Sequence, residues 1–281
     1  MEKHLHELES PTSKALVSDY GAQVAQWTPN STETSVLWTS NLADFSPSAP
    51  IRGGIPVMFP WFNAGRFPGL APKHGFARFA HWNFEGESSD STSTTATWTL
   101  KSADLEGLNG PEHFTYQFEA RYEVTVGEDL NVRFHVENLT DEEFSFELAL
   151  HTYFRIGDIE NVQVEGVDGL DACNPFLSPE HFSQEGPLVN PVGIDRVFYE
   201  SKPVEIVDPV LNRRVRISAT NASNMIVWNP AETGAAGIPD MEDQEYRQMI
   251  CVEAGRIYDQ AVNLAPGESF ELAYRVQCLP L

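Results

Sequence analysis

TYQFEARYEVTVGEDLNVRFHVEN, residues 115–138, decides the fold. On either side of Gly127-Glu128-Asp129, β-branched and aromatic residues recur at every second position. A period of two sends alternate side chains to opposite faces of a strand. A short glycine-containing polar gap between two such runs is the mark of a hairpin. The stretch therefore predicts two antiparallel strands, 115–126 and 131–138. Thr140-Asp141-Glu142 reads as a further hairpin turn into FSFELALHTYF, 144–154.

The pattern continues outward in both directions. Runs at 23–28, 35–40, 94–100, 161–167, 204–208, 213–219, 224–230, 248–255 and 269–279 have the same strand-like composition. No long segment has a helical period, and the acidic piece 102–112 reads as a short helical turn. The Pro- and Gly-rich stretches 46–75 and 229–240 read as long loops, which in a compact domain usually carry function. Many strands without crossover helices imply an all-β protein, a large antiparallel β-sandwich. No linker, repeat or low-complexity tract divides the chain, so residues 1–281 are expected to form a single domain.

Composition narrows the functions. A chain of 281 residues that is 41% hydrophobic can bury a large core, which excludes wholesale disorder. Its net charge of −23, with 5 lysines among 18 basic residues, repels phosphate backbones and anionic membranes. Cys173, Cys251 and Cys278 show no paired or zinc-type spacing. The N-terminus MEKHLHELES has no apolar core of a secretion signal, and no run approaches a membrane span. A reducing cytoplasm is the expected setting. Gly53-Gly54 lacks the dinucleotide-binding spacing, and no G-x-S-x-G elbow is present.

Four segments hold residues suited to chemistry. In 144–151, Phe144, Phe146, Leu148 and Leu150 share one face, and Ser145, Glu147, Ala149 and His151 the other. His151 thus sits on the polar side near a strand end, where a lone histidine is more often exposed or hydrogen-bonded than functional. In QMICVEAGR (248–256), Glu253 shares a face with Met249 and Cys251. It is either an edge-strand glutamate facing water or a buried carboxylate whose raised pKa suits a general base. In IRGGIPVMFPWFN (51–63), Arg52 precedes two glycines, and Pro56 and Pro60 forbid a central strand or helix. That loop either covers a sheet or lines a pocket. PKHGFARFAHW (72–82) holds His74 and Arg78 without metal-ligand spacing, and His81 reads as an ordinary surface or core histidine. Arg213–Arg216 reads as a solvated strand face, and DMEDQEY (240–246) as a solvated acidic loop.

Taken together, RGGIPVMFPWFN (52–63), HGFAR (74–78), LALHTYFRI (148–156), IDRVFY (194–199), VWNP (227–230) and EYRQMICVEAG (245–255) resemble the aldose 1-epimerase-like family. The similarity is to its hexose-6-phosphate mutarotase branch, glucose-6-phosphate 1-epimerase. The resemblance implies the galactose mutarotase-like supersandwich, with a site in a cleft on one sheet. It implies interconversion of the α and β anomers of a phosphorylated hexose, with no cofactor and no metal. It makes His151 the general acid and Glu253 the general base. His74 assists at the sugar, Arg52 and Arg78 bind phosphate, and Asp195 binds substrate. The expected partner is a sugar phosphate, with no nucleic acid or membrane, and the expected state is a monomer. Many relatives carry a lysine in the loop after VWNP, whereas AETGAAGIPDMED here has none. An aldose 1-epimerase of free sugars, a non-catalytic carbohydrate binder stacking sugars on Trp61 or Trp228, and a purely structural sandwich are the alternatives.

Overall fold

The computed structural model describes residues 4–46, 50–175 and 178–281. The hairpin that opens the argument is formed: Phe118–Val126 pairs antiparallel with Leu130–Asn138, and Val126 lies opposite Leu130. Both strands alternate buried and exposed residues along their length. They belong to a nine-stranded sheet ordered Leu188–Val189, Gln163–Glu165, Val204–Asp208, Arg213–Thr220, Ser269–Pro280, Leu130–Asn138, Phe118–Val126, Thr94–Lys101 and Asn83–Ser89. A second sheet runs Ser178–Ser183, Asp171–Asn174, Asp195–Phe198, Asn224–Trp228, Met249–Arg256, Leu148–Leu150 and Val57–Met58, with Tyr153–Arg155 also paired to Met249–Arg256. Leu5–Glu9, Ser13–Ser18 and Gln23–Pro29 form a small sheet of their own. All these pairings are antiparallel, as a sandwich requires.

The apolar face of the nine-stranded sheet packs against the loop 51–63 and the second sheet. Phe59 of that loop lies 5.3 Å from the rings of Phe118 and Phe146 and 5.4 Å from Phe134, in edge-on and tilted contacts that aromatic quadrupoles favour. The loop is therefore a core element as well as a wall. The Tyr274 hydroxyl, from the nine-stranded sheet, donates to the Val252 carbonyl at 2.9 Å and pins the second sheet from behind.

Some expectations differ from what is found. Thr140-Asp141-Glu142 is not a hairpin turn. Asn138 donates to the Glu142 and Leu264 carbonyls and accepts from Thr140, steering the chain across to pair Phe144–Phe146 with Val262–Leu264. The run 144–154 is three strands, interrupted at Glu147 and at His151-Thr152. Segment 35–40 makes only isolated bridges, Leu37 to Phe154 and Thr39 to Gly53. The acidic piece does turn helically, as expected, in two 3-10 turns, Ser102–Asp104 and Pro111–His113. The loop after Trp228 contains a short α-helix, Ala231–Ala235. Residues 47–49 of the first long loop lie outside the described residues.

Candidate active site

Strand register brings His151 and Glu253 together. Leu150 lies opposite Ala254 and Tyr153 opposite Cys251. Counting inward from either pair sets residue 151 against residue 253. The ladder pauses there, because the Thr152 N–H turns back to the Leu150 carbonyl while its own carbonyl accepts from Val252. Such an irregularity re-aims a side chain without shifting the register on either side. His151 Nε2 stands 3.4 Å from Glu253 Oε1, and their side chains are 10% and 1% exposed. Glu253 is no edge residue: its strand is flanked on both sides, and it faces into a cavity.

That cavity has a volume of about 240 Å³, below the range of drug-sized ligand sites. Its floor is one face of the second sheet: Asp195, Val197, Ile226, Trp228 and Glu253. Cross-strand pairing aligns them, with Asp195 opposite Trp228, Val197 opposite Ile226, and Ile226 opposite Glu253. The wall comes from the two segments 51–63 and 72–82: Arg52, Phe62, Asn63, Lys73, His74 and Arg78. All six residues singled out in the sequence, Arg52, His74, Arg78, His151, Asp195 and Glu253, line this one cavity.

Backbone geometry seats the wall residues. Gly53 has φ +117°, and a Cβ there would stand 2.4 Å from the Trp38 carbonyl oxygen, so only glycine lets the chain beside Arg52 approach so closely. Gly75 has φ +72°, and its Cβ would meet the Phe59 carbonyl oxygen at 2.1 Å. The neighbouring His74 is itself left-handed, at φ +68°. Its Nδ1 accepts the Asn63 N–H at 3.1 Å, which puts the ring proton on Nε2 as a donor. Its ring lies edge-on to His151, 5.6 Å between centroids.

The cations differ in their pairing. Arg52 Nε donates to Asp240 Oδ1 at 3.0 Å, and Nη1 to the Tyr153 hydroxyl at 3.1 Å. Burial pulls the Arg52 pKa down, but Tyr153 and Asp240 outweigh it and hold it above the ordinary value. Arg78 donates one Nη2 bond to the Lys73 carbonyl at 2.8 Å, and its buried Nε has no partner among the described residues. Burial, with Arg52 nearby, lowers it to about 10. The acidic segment 240–246 is thus not simply solvated. Asp240 holds Arg52, and the buried Glu245 accepts from Ser40 at 2.6 Å and from the Asn41 N–H at 2.8 Å. Trp61 is buried in the core with its indole bonded to the Pro72 carbonyl, whereas Trp228 lines the cavity.

Burial pushes Glu253 well above the ordinary 4.5, and the Asp195 carboxylate adds to the shift. Burial, with Arg52 and Arg78, pushes His151 down from 6.5 to about 3. Burial therefore favours the neutral form of each group, the protonated acid of Glu253 beside an uncharged His151. Between pH 4.5 and 6.5 the unfolded pair also holds one, on the histidine, so its contribution to stability is flat there. Below 4.5 the unfolded chain binds one proton more, and stability is lost as pH falls. Above 6.5 the unfolded pair holds none, and stability is lost as pH rises for as long as the raised Glu253 carboxyl keeps its proton. His74, also depressed by burial and by His151, adds a loss below 6.5. Glu253→Gln is expected to remove the alkaline loss, so that variant and parent diverge above pH 6.5 in urea unfolding. Parallel curves there would contradict the assigned proton.

Sequence reading missed Lys73, Tyr153, Asn63 and Tyr258 in the lining. Lys73 had a signal, since it directly precedes His74-Gly75-Phe76-Ala77-Arg78. It supplies from the wall a cation that the loop after Trp228 lacks.

Comparison with known proteins shows the family and the fold. The family described as Aldose 1-epimerase matches residues 4–277. A Salmonella typhimurium protein named "Putative glucose-6-phosphate 1-epimerase" is 31% identical over 252 residues, spanning 88% of this chain and 81% of the relative. An Escherichia coli K12 protein of the same name is 32% identical over 249 residues, with the same shares. A crystal structure from Salmonella typhimurium described as that of "a putative mutarotase (YeaD)" superposes with a TM-score of 0.89 at 27% identity, covering 99% of this chain and 90% of the other. A Synechocystis protein of 20% identity shares the fold at a TM-score of 0.80. Family match, fold and cavity agree: this chain belongs to the aldose 1-epimerase family.

Proposed function

We propose that the protein is a hexose-6-phosphate 1-epimerase, interconverting the α and β anomers of glucose 6-phosphate or a close relative without a cofactor. The observation that carries this is the His151–Glu253 pair, 3.4 Å apart at the base of a cavity walled by Arg52, Lys73 and Arg78. The anomeric hydroxyl and the ring oxygen are bonded to the same carbon, so a base and an acid serving them must converge as these two groups do. Glu253 takes the proton of the anomeric hydroxyl while His151 gives one to the ring oxygen. The ring opens, the first carbon–carbon bond rotates, and the reverse transfers close it from the other face. One proton on the pair suffices for the whole cycle. Burial favours its resting on Glu253, and its passage across the 3.4 Å contact gives the working form without uptake from solvent. His74 offers its Nε2–H to the sugar, and Asp195 accepts from a hydroxyl.

Arg78 favours a phosphorylated sugar over a free one, because its buried, unpartnered Nε carries a standing desolvation cost without an anion, and the exposed Lys73 adds a second cation at the cavity wall. Free-sugar epimerisation is the second reading. The same account takes residues 1–281 as one domain acting as a monomer in the cytoplasm, with no nucleic-acid or membrane partner. Its test is anomer exchange by NMR, with glucose and glucose 6-phosphate compared. A rate no faster than the spontaneous one for either sugar would overturn it.

Asp240 offers a finer check. Its carboxylate offsets the charge of Arg52. Asp240→Asn keeps an acceptor and removes the charge, so KM for glucose 6-phosphate should fall by about two- to fivefold, with glucose unaffected. A rise in KM would mean that Asp240 acts mainly to hold Arg52 in place.

A further inference from the structure

Cys251 has no part in the chemistry above, yet it lies beside it. It is two residues before Glu253 on one strand face, fully buried, and opposite Tyr153 and Trp228, which line the cavity. One ligand atom each from His151, Cys251 and Glu253 falls within 4.8 Å of the others. We propose that these three side chains form a binding site for a thiophilic divalent cation such as Zn2+, and that its occupancy switches the epimerase off.

Three features carry this. The donor set is imidazole, thiol and carboxylate, the three side-chain ligands that zinc uses. Two zinc ligands at about 2.0–2.1 Å in tetrahedral geometry stand about 3.4 Å apart, and the His151–Glu253 spacing is 3.4 Å. That is long for a charge-assisted hydrogen bond and suited to a shared ion. The thiol, at no more than 4.8 Å, has about 1 Å to close. Finally, Glu253 Oε2 and His151 Nδ1 are buried without partners among the described residues, so the site has unused donor capacity. His151 and Glu253 line the cavity, so a fourth ligand would reach the ion from there. Arg52 and Arg78 oppose a cation here; Asp195, the thiolate formed on binding, and the chain's −23 charge favour it. The ligands come from positions 151, 251 and 253, so no zinc-type spacing marks them in the sequence. The inhibitory consequence rests on the proposed acid–base roles, because the ion would take both groups; the binding itself does not.

Cobalt(II) is the probe, on the full chain. Titration should produce a near-ultraviolet thiolate-to-cobalt charge-transfer band that Zn2+ erases and glucose 6-phosphate suppresses. Cys251→Ser should lose the band, keep anomer exchange near the parent rate, and need at least about tenfold more Zn2+ for half-inhibition. The Cys173→Ser/Cys278→Ser double variant should keep the band, which tests the site even if Cys251→Ser folds poorly. No band, a band surviving in Cys251→Ser, or unchanged zinc inhibition in that variant would overturn the site. A Cys251-dependent band in a protein without exchange activity would support the site and sink the proposed function. Exchange with no band would do the opposite.

Discussion

Glu253→Gln is expected to lower catalysed anomer exchange of glucose 6-phosphate by about 10²- to 10⁴-fold, the usual worth of a positioned general base. The substitution keeps shape and volume and removes only the ability to accept and return a proton. Glu253 Oε2 has no hydrogen-bond partner among the described residues, and Oε1 stands 3.4 Å from His151 Nε2. The fold therefore loses no framework bond, and KM should change by less than about threefold, since an interaction made in the transition state is what disappears. His151→Asn should fall within a factor of about ten of the same rate, because either change disables one proton relay. A variant with a strongly raised KM and intact kcat would instead make Glu253 a binding residue.

The second large effect separates phosphate from sugar. Arg52→Ala should reduce kcat/KM for glucose 6-phosphate by about 10- to 150-fold, from a lost charge-assisted contact of about 1.5–3 kcal/mol. The loss belongs mainly in KM, because the phosphate is remote from the bond that breaks. It should fall toward the upper end of that range, since Asp240, freed from Arg52, is left as a carboxylate beside the anion. Exchange of free glucose, however slow, should change by less than about twofold, within the scatter of an untouched contact. Combining Arg52→Ala with Asp240→Asn should recover part of the loss. Equal damage to both sugars would place Arg52 in the scaffold of the cavity and not at the phosphate.

How legible these features were depended on where the partners lie. The hairpin at 118–138 was readable because each strand has one buried face, which writes a clean alternation into the sequence. Met249–Arg256 was harder. Seven of its eight residues are buried, because one face lies under the other sheet and the other under the cavity. A run apolar on both sides does not tell a central strand from an edge strand, so the setting of Glu253 stayed open. The pause at His151-Thr152 left only a faint mark: the alternation of 144–150 lapses there, with Thr152 on the apolar side and Tyr153 on the polar one. Asp240 and Glu245 sit in an acidic run that looks solvated, and their partners Arg52 and Ser40 are 188 and 205 residues away. Those contacts belong to tertiary structure and leave no local pattern. The segments Asn83–Ser89 and Asp195–Phe198 escaped detection for a related reason: the first is a mostly exposed edge, and the second is only four residues long.

The central claim is that one imidazole and one carboxylate, set opposite each other by strand register, serve the two oxygens of a single anomeric carbon. A crystal structure of the Glu253→Gln variant with glucose 6-phosphate tests it most directly. The account predicts the anomeric hydroxyl against residue 253, the ring oxygen within hydrogen-bond reach of His151 Nε2, and the phosphate between Arg52 and Arg78. A sugar bound with its anomeric carbon turned away from His151, or with its phosphate seated elsewhere, would contradict it.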